Sequence, residues 1–191
     1  MMHKKGRLYV FTGPSGTGKG TILGRALAQD PKVFLSVSAT TRAPREGEQN
    51  GVHYYFLSMQ EFEDKIAQNA FLEHAQYVGN RNGTLEAPVN EQLEAGNDVV
   101  LEIEVQGAMQ IHKKRPDAVM VFVAPPSMEE LERRLRGRGT ETEDKIRSRM
   151  ETAEHEMTYV PQFDYVIVND DLDLAVRDLL AIFAAERCRN Q

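Results

Sequence analysis

A glycine-rich segment near the N-terminus carries residues whose types and spacing suit phosphate binding. It consists of Gly13, Pro14, Ser15, Gly16, Thr17, Gly18 and Lys19. A short apolar run precedes it and a helical pattern follows it. Glycines let successive backbone N–H groups turn inward around an anion, and the helix that follows directs its positive dipole end at the same anion. The pattern predicts a P-loop that binds a nucleoside triphosphate, with Lys19 on the β- and γ-phosphates.

The two residues after Lys19 depart from the usual P-loop order. Gly20 stands where Ser or Thr usually contacts Mg²⁺, and the hydroxyl follows one position later at Thr21. We expect both residues to belong to the triphosphate site, and Thr21 to be the candidate magnesium ligand, directly or through water. Hydrolases, motors, switches and small-molecule kinases all use P-loops, so other residues must identify the phosphate acceptor.

Two arginines three residues apart form a second candidate phosphate site. Arg42 and Arg45 lie on a segment that Pro44 restricts. The planar guanidinium suits bidentate binding of a phosphate. Charged loop residues are usually just solvated, so this pair is weak evidence by itself.

A third candidate region, residues 133–149, carries a local excess of positive charge. It holds seven basic and three acidic residues, whereas the whole chain has 23 basic and 29 acidic residues and a net charge of −6. This overall balance argues against a surface that binds nucleic acid or anionic membrane. We therefore expect neither as a partner.

The elements that position these residues alternate along the 191 residues of the chain. Buried strands are predicted at Arg7–Phe11, Val33–Val37, Val99–Val105, Val119–Val123 and Tyr165–Val168. Helices are predicted at Thr21–Gln29, Met59–Asn69, Glu129–Arg136 and Leu172–Arg187. Strands that alternate with helices imply crossover connections, so we expect one α/β domain of three layers with a parallel sheet at its centre.

Two stretches interrupt this alternation. Thr41–Val52 and Gly79–Ala87 are rich in Gly, Asn, Arg and Glu, and the three aromatic residues of Tyr54–Phe56 lie between them. We expect an insertion here, in which the aromatic residues form a strand of a small separate sheet.

Cysteine and apolar patterning exclude several classes of protein. The single cysteine, Cys188, allows no internal disulfide and favours a reducing, cytoplasmic location. The histidines are too far apart in sequence to suggest a protein-held zinc site. Apolar runs such as Ala118–Ala124 are much shorter than the roughly 20 residues of a membrane span, and the N-terminus has no signal-peptide pattern.

Taken together, the motifs resemble those of the guanylate kinase family. They are the P-loop, Ser38–Glu48, Phe71–Glu73, Gly79–Asn80 with Gly83–Thr84, Leu101–Gly107 and Gly137–Glu141. They follow the family's order over nearly the whole chain. The resemblance implies a P-loop α/β fold with a core of residues 1–37, 88–126 and 152–191, an acceptor-binding insertion at about 38–87 and a helical lid at about 127–151.

The resemblance also implies a role for individual residues. In the family, the residues that match Ser38, Glu73 and Thr84 recognise the guanine base through polar contacts. Arg42, Arg45 and Tyr54 match the residues that hold the acceptor phosphate. Glu102 and Glu104 match an acidic pair, two apart on the predicted strand, that we assign to guanine-side contacts or hydrated Mg²⁺. The family's lid arginines match Arg134, Arg138 and Arg149, which with Lys19 form the expected catalytic set, and Asn169 matches a residue near the donor adenine.

By this resemblance the chain is a monomer or small homo-oligomer that transfers the γ-phosphoryl group of Mg·ATP to GMP, and also to dGMP, giving ADP and GDP or dGDP. The sequence also departs from the family. Asn82 stands where a second phosphate-binding tyrosine is usual, next to Arg81, and Glu102 and Glu104 replace the aspartates often found at their positions. Two alternatives stay open. One is a kinase of the same superfamily that acts on a sugar phosphate, and the other is a non-catalytic binding module on the same fold.

Overall fold

The computed structural model describes residues 5–77, 79–137 and 142–189, which form nine strands and seven α-helices. The strands are β1 Leu8–Thr12, β2 Val33–Leu35, β3 Ala39–Thr40, β4 Tyr55–Phe56, β5 Phe71–Tyr77, β6 Asn80–Leu85, β7 Asp98–Glu102, β8 Val119–Ala124 and β9 Tyr165–Val168. The helices are α1 Lys19–Leu27, α2 Met59–Ala67, α3 Glu86–Glu94, α4 Val105–Lys114, α5 Met128–Gly137, α6 Glu143–Met157 and α7 Leu172–Cys188. A short 3₁₀ turn covers Val160–Gln162.

The larger sheet is parallel and has the strand order β2-β7-β1-β8-β9. Every residue of β1 and β8 is buried, as expected for central strands that are covered on both faces. Each of the five strands overlaps one of the five runs predicted from the sequence. The predicted α/β class with a parallel sheet is therefore confirmed. The prediction that all five are buried was wrong for the edge strands β2 and β9, where most residues are exposed or partly exposed.

The smaller sheet has the order β4-β3-β6-β5 and is mixed, since β3 runs parallel to β4 and antiparallel to β6. Phe62 of α2 stacks on Phe71 of β5 at 4.3 Å between ring centroids, and both rings are buried beneath this sheet with Ala39. The predicted aromatic strand is confirmed as β4. No strand was predicted within Gly79–Ala87, but backbone pairing to β3 and β5 makes Asn80–Leu85 a strand despite its polar side chains.

The chain leaves the larger sheet earlier than the apolar run Val99–Val105 predicted. Strand β7 ends at Glu102, and Val105 is the first residue of α4 rather than the last of a strand. Val105 is buried, with 2% of the residue exposed, as part of this helix and not of a strand. Glu102 and Glu104 therefore do not share one face of a strand, which corrects that part of the prediction.

Two compact units account for the chain. The first comprises Met1–Tyr9, Lys32–Leu101 and Gln106–Ala118, and it contains the whole smaller sheet. The second comprises Val10–Pro31, Glu102–Val105 and Val119–Gln191, and it contains the P-loop, β8, β9 and helices α5 to α7. Within the described ranges, no helix is both long and apolar enough for a membrane span.

The turn from β1 into the P-loop depends on a glycine. Gly13 has a φ of +144°, and a Cβ at this position would overlap the carbonyl oxygen of Val123 in β8. Gly24 offers a matched contrast, since it lies inside α1 with no atom within 4 Å of an added Cβ.

We expect Gly13→Ala to lower the free energy of unfolding, because the backbone of a buried strand would have to move. Gly24→Ala should raise it by about 0.5–1 kcal/mol through better helix propensity. Urea unfolding followed by circular dichroism measures both changes. Equal effects of the two substitutions would contradict the assigned close packing at Gly13.

Candidate active site

The P-loop folds back on itself between β1 and α1. Thr17 is fully buried, its Oγ1 donates to the carbonyl of Pro14 at 2.9 Å, and its backbone N–H donates to the same carbonyl at 3.3 Å. Helix α1 begins at Lys19, so its first N–H groups directly follow the loop. A closed loop at a helix N-terminus is the arrangement that binds phosphate.

Two of the predicted cations lie at this loop. Lys19 Nζ donates to the carbonyls of Gly13 at 2.5 Å and Pro14 at 3.0 Å. Arg149 of α6 reaches the loop from another element, and its guanidinium donates to Ser15 Oγ at 2.7 Å. Both charges are thus held next to the backbone that is expected to surround a phosphate.

Arg134 and Asn169 connect the loop to α5 and β9. The Arg134 guanidinium donates to Glu130 at 2.7 Å and to the backbone carbonyl of Asn169 at 2.9 Å. Asn169 Nδ2 in turn donates to the carbonyl of Thr17 at 2.7 Å. The predicted lid residue Arg138 lies outside the described residues.

Three carboxylates of the unit that contains the P-loop, Glu102, Glu104 and Glu156, lie near Gly20 or Lys19. Glu102 Oε1 lies 3.8 Å from where a Cβ on Gly20 would be, beside the first turn of α1. Burial raises the pKa of Glu156, the nearby charge of Glu104 raises it further, and Lys19 opposes both effects. Glu156 therefore adds a carboxyl group near Lys19 and Glu104, and no motif in the sequence marked this residue.

Arg42, in the other unit, is held by a residue to which the sequence assigned no role. Its two terminal nitrogens donate to the two carboxylate oxygens of Glu48 at 3.0 and 2.9 Å, and the backbone N–H of Arg45 donates to Glu48 at 2.7 Å. The guanidinium carbon lies 5.4 Å from the Tyr54 ring centroid and 5.8 Å from that of Phe56. These hydrogen bonds, first that from Arg42, lower the pKa of Glu48 to about 2.

Glu73 is a buried carboxyl group, with 6% of the residue exposed. It lies on β5, and Thr84 on the neighbouring strand β6 donates its hydroxyl to Glu73 Oε1 at 2.7 Å. Burial raises the pKa of Glu73, while the hydrogen bonds from Thr84 oppose that shift. The predicted pair Glu73 and Thr84 is thus brought together on adjacent strands.

Helix α4 holds the strand that carries Glu73. Gly107 lies against the carboxyl group, where an added Cβ would be 2.7 Å from Glu73 Oε2. Gln110 accepts from the backbone N–H of His74 at 3.2 Å and donates to its carbonyl at 3.0 Å, and Lys114 donates to the carbonyl of Phe71 at 2.6 Å. The three helix residues are spaced by three and four positions, so they share one face of α4.

The remaining predicted acceptor residues lie on the loops and strands around Arg42. The carbonyl of Ser38 accepts from the N–H of Tyr55 at 2.9 Å, and Arg45 is exposed. Asn82 pairs with Thr40 on β3 and with Ala75 on β5, and the side chain of Arg81 donates to Glu63 of α2 at 2.7 Å.

Four residues that organise these clusters had no role assigned from the sequence, although two of them lie in motifs noted there. The four are Glu48, Gly107, Gln110 and Glu156. The spacing of Gly107, Gln110 and Lys114 can be seen in the sequence, but only the fold shows that these residues lie on a helix packed on β5. Thr21 lies in the first turn of α1, is exposed, and remains a prediction as a magnesium ligand.

Comparison with known proteins gives consistent matches. The family model described as guanylate kinase matches residues 5–186. A guanylate kinase of Desulfitobacterium hafniense is 51% identical over 189 residues, which cover 99% of this chain and 94% of that protein. A guanylate kinase of Thermus thermophilus is 50% identical over 190 residues, covering 100% of this chain and 85% of that protein.

A solved structure agrees with these sequence matches. The crystal structure of guanylate kinase from Anaplasma phagocytophilum superposes with a TM-score of 0.77 at 30% sequence identity, covering 100% of this chain and 90% of that one. At this identity and coverage, the structural likeness supports the same family as the sequence matches.

The hydrogen bond from Thr84 gives a testable pKa shift at Glu73. In the folded protein Glu73 should titrate above the ordinary range of a glutamate, because burial disfavours the charged form. Thr84→Val removes a donor that favours the charged form, so the pKa of Glu73 should rise further. Carbon-13 NMR of the side-chain carboxyl groups measures both.

A matched substitution separates this effect from a general loss of a threonine hydroxyl. Thr152, whose hydroxyl donates to Ser148 within α6, can be changed to Val in the same way. That variant should leave the Glu73 titration unchanged. A Glu73 pKa that stays the same in Thr84→Val would contradict the assigned hydrogen bond.

Proposed function

We propose that this chain, which belongs to the guanylate kinase family, transfers the γ-phosphoryl group of ATP to GMP and produces ADP and GDP. The observation that carries the proposal is the buried carboxyl group of Glu73 with its Thr84 partner, because it suits one purine base and not the other.

Guanine presents the N1–H and N2–H₂ donors side by side, and one ionised carboxylate accepts both. Adenine presents the lone pair of its N1 at the same edge, which would repel Glu73 and leave a buried charge without a donor. A site whose buried groups are arranged for hydrogen bonds strongly rejects a ligand that lacks the matching donors. Gly107 supports this role, since it leaves room for the carboxyl group beside α4. We propose that Ser38 completes the base contacts.

The acceptor phosphate is proposed to bind Arg42, Arg45 and Tyr54. Glu48 supports this assignment because its bidentate contact fixes the plane of the Arg42 guanidinium, and the Tyr54 ring lies against the same group. A guanidinium held in one plane loses less side-chain entropy when it forms hydrogen bonds to phosphate. We extend the proposal to dGMP, since none of these contacts requires a 2′-hydroxyl.

The donor triphosphate is proposed to bind the P-loop residues 13–21. Lys19, Arg134 and Arg149 would supply positive charge to the oxygens on which charge develops during transfer, together with Arg138 from the predicted lid. The contacts of Lys19 and Arg149 at the loop support this. Positioning and electrostatic stabilisation account for most of the catalysis of phosphoryl transfer, so no dedicated general base is required.

The residues near the first turn of α1 fit a hydrated magnesium ion. Glu102 lies beside Gly20, Thr21 has a hydroxyl on the same turn, and Glu104 belongs to the same acidic segment. Such oxygen ligands suit Mg²⁺, which usually keeps several waters and binds few protein groups. Bound there, the ion would neutralise charge on the β- and γ-phosphates.

In the proposed reaction, an oxygen of the GMP phosphate forms a bond to the γ-phosphorus of ATP. The bond from that phosphorus to the oxygen bridging to the β-phosphorus breaks, and ADP leaves with the electron pair. Water must be excluded, or ATP would be hydrolysed instead. We propose a cytoplasmic location because both substrates are free nucleotides of that compartment.

Replacement of the P-loop lysine separates binding from transfer. Lys19→Ala should reduce kcat by at least about a hundredfold, because the transferred group loses a cation. The affinity for GMP should change little. Calorimetry with GMP and a coupled assay of ADP formation measure the two effects.

The matched control is Lys113→Ala, which removes an exposed lysine of α4. It should leave both GMP affinity and turnover unchanged. Full turnover in Lys19→Ala would overturn the proposed function.

The protonation of Glu73 should control GMP affinity. Only the ionised carboxylate accepts both guanine donors, and its pKa is raised by burial. Affinity should therefore fall as the pH drops through that raised value, earlier than for an ordinary glutamate. Glu73→Gln should weaken GMP binding by at least about tenfold and remove this pH dependence.

The GMP phosphate also titrates, with a second pKa of about 6, and this contributes equally to the pH dependence of GMP affinity in both proteins. The difference between wild type and Glu73→Gln therefore isolates Glu73. Glu91→Gln on the exposed face of α3 should behave as wild type. Identical pH profiles for wild type and Glu73→Gln would refute the role of Glu73.

A further inference from the structure

Asn169 lies directly after β9 and is fixed at both of its backbone groups. Its N–H donates to the carbonyl of Ala124 at 2.9 Å, which continues the pairing of β8 with β9. Its carbonyl accepts from the Arg134 guanidinium at 2.9 Å. Only 7% of the residue is exposed. The side chain therefore starts from a rigid, buried position.

The side-chain amide of Asn169 contacts the backbone of the P-loop. Nδ2 donates to the carbonyl of Thr17 at 2.7 Å, in a buried hydrogen bond between residues distant in sequence. In a trans peptide the C=O and the following N–H point in opposite directions. The bond that fixes the Thr17 carbonyl therefore also fixes the direction of the Gly18 N–H. That group belongs to the run of backbone donors expected to surround phosphate.

The side chain of Asn169 packs closely enough against Gly18 to favour glycine at that position. Gly18 has a φ of +85°, and a Cβ added to it would be 2.6 Å from Asn169 Nδ2. The amide therefore occupies the space that glycine leaves open. A buried carbonyl such as that of Thr17 is costly to leave without a hydrogen-bond donor.

We propose that Asn169 is a positioning residue of the P-loop, whose side-chain amide holds the Thr17–Gly18 peptide in its phosphate-binding orientation regardless of the base of the donor. The sequence suggested instead a contact with the donor adenine. Arg134 shares the same anchor, so a cation of α5 and the loop backbone are held by one residue. The inference rests on the proposed function for the identity of the donor, but its basis is the contact with Thr17.

The two roles predict different donor preferences. Binding of ATP, GTP and inorganic tripolyphosphate is measured by calorimetry for wild type and Asn169→Ala. A positioning role predicts that all three ligands weaken by the same factor, between about 5-fold and about 100-fold, because one buried hydrogen bond is lost. The ratio of ATP to GTP affinity and the affinity for GMP should not change.

A second variant covers the case in which Asn169→Ala does not fold. Asn169→Asp keeps the size of the side chain but places a carboxylate oxygen against the Thr17 carbonyl, so tripolyphosphate should bind at least as weakly as to Asn169→Ala. Asn97→Ala is the matched control, since this amide donates to Gln92 at 2.8 Å in the other unit. It should bind all donors as wild type does.

Each result decides the proposal. Loss of affinity for ATP alone, or unchanged tripolyphosphate binding in both Asn169 variants, would overturn it in favour of a base contact or no role. A general loss that includes GMP would also overturn it, because that pattern indicates global destabilisation. If wild type binds tripolyphosphate but transfers no phosphoryl group to GMP, the proposed function fails while the positioning role is still judged on tripolyphosphate.

Discussion

A phosphate-binding cation must be held in one orientation before the anion arrives, and this constraint governs the site. Four cations proposed to bind phosphate contact acceptors of their own unit through their side chains. Lys19 donates to two carbonyls, Arg149 to the Ser15 hydroxyl, Arg134 to Glu130 and a carbonyl, and Arg42 to Glu48. Neutral carbonyl or hydroxyl groups are among the acceptors that contact Lys19, Arg134 and Arg149, and a neutral acceptor does not cancel the charge of a cation.

Carboxylates beside the arginines serve the same constraint. Arginines side by side repel one another, and carboxylates between them offset that repulsion. The pKa of Glu48 is lowered to about 2 by Arg42, and that of Glu130 is lowered to about 2 by Arg133 and Arg134. Both carboxylates therefore stay ionised at neutral pH. The local excess of positive charge at residues 133–149 thus coexists with a net charge of −6.

The sequence predicted those parts of the fold that depend on local pattern. Short β-branched runs identified the five strands of the larger sheet, and the glycine spacing identified the P-loop. Strand β6 was not predicted because its side chains are mostly polar. Its extended conformation comes from backbone pairing with β3 and β5. The contact of α4 with the Glu73 strand and that of Asn169 with Thr17 were missed for a related reason. They join segments far apart in sequence, so only the fold brings them together.

The central claim is that a buried carboxylate selects guanine as the acceptor base, and an acceptor comparison tests it most directly. With ATP as donor, kcat/KM is measured for GMP, dGMP, AMP, UMP and ribose 5-phosphate. The account predicts comparable values for GMP and dGMP, and values at least about a thousandfold lower for AMP, as expected where buried hydrogen-bonding groups would be left unpaired. Transfer to ribose 5-phosphate or AMP as efficient as transfer to GMP would contradict it.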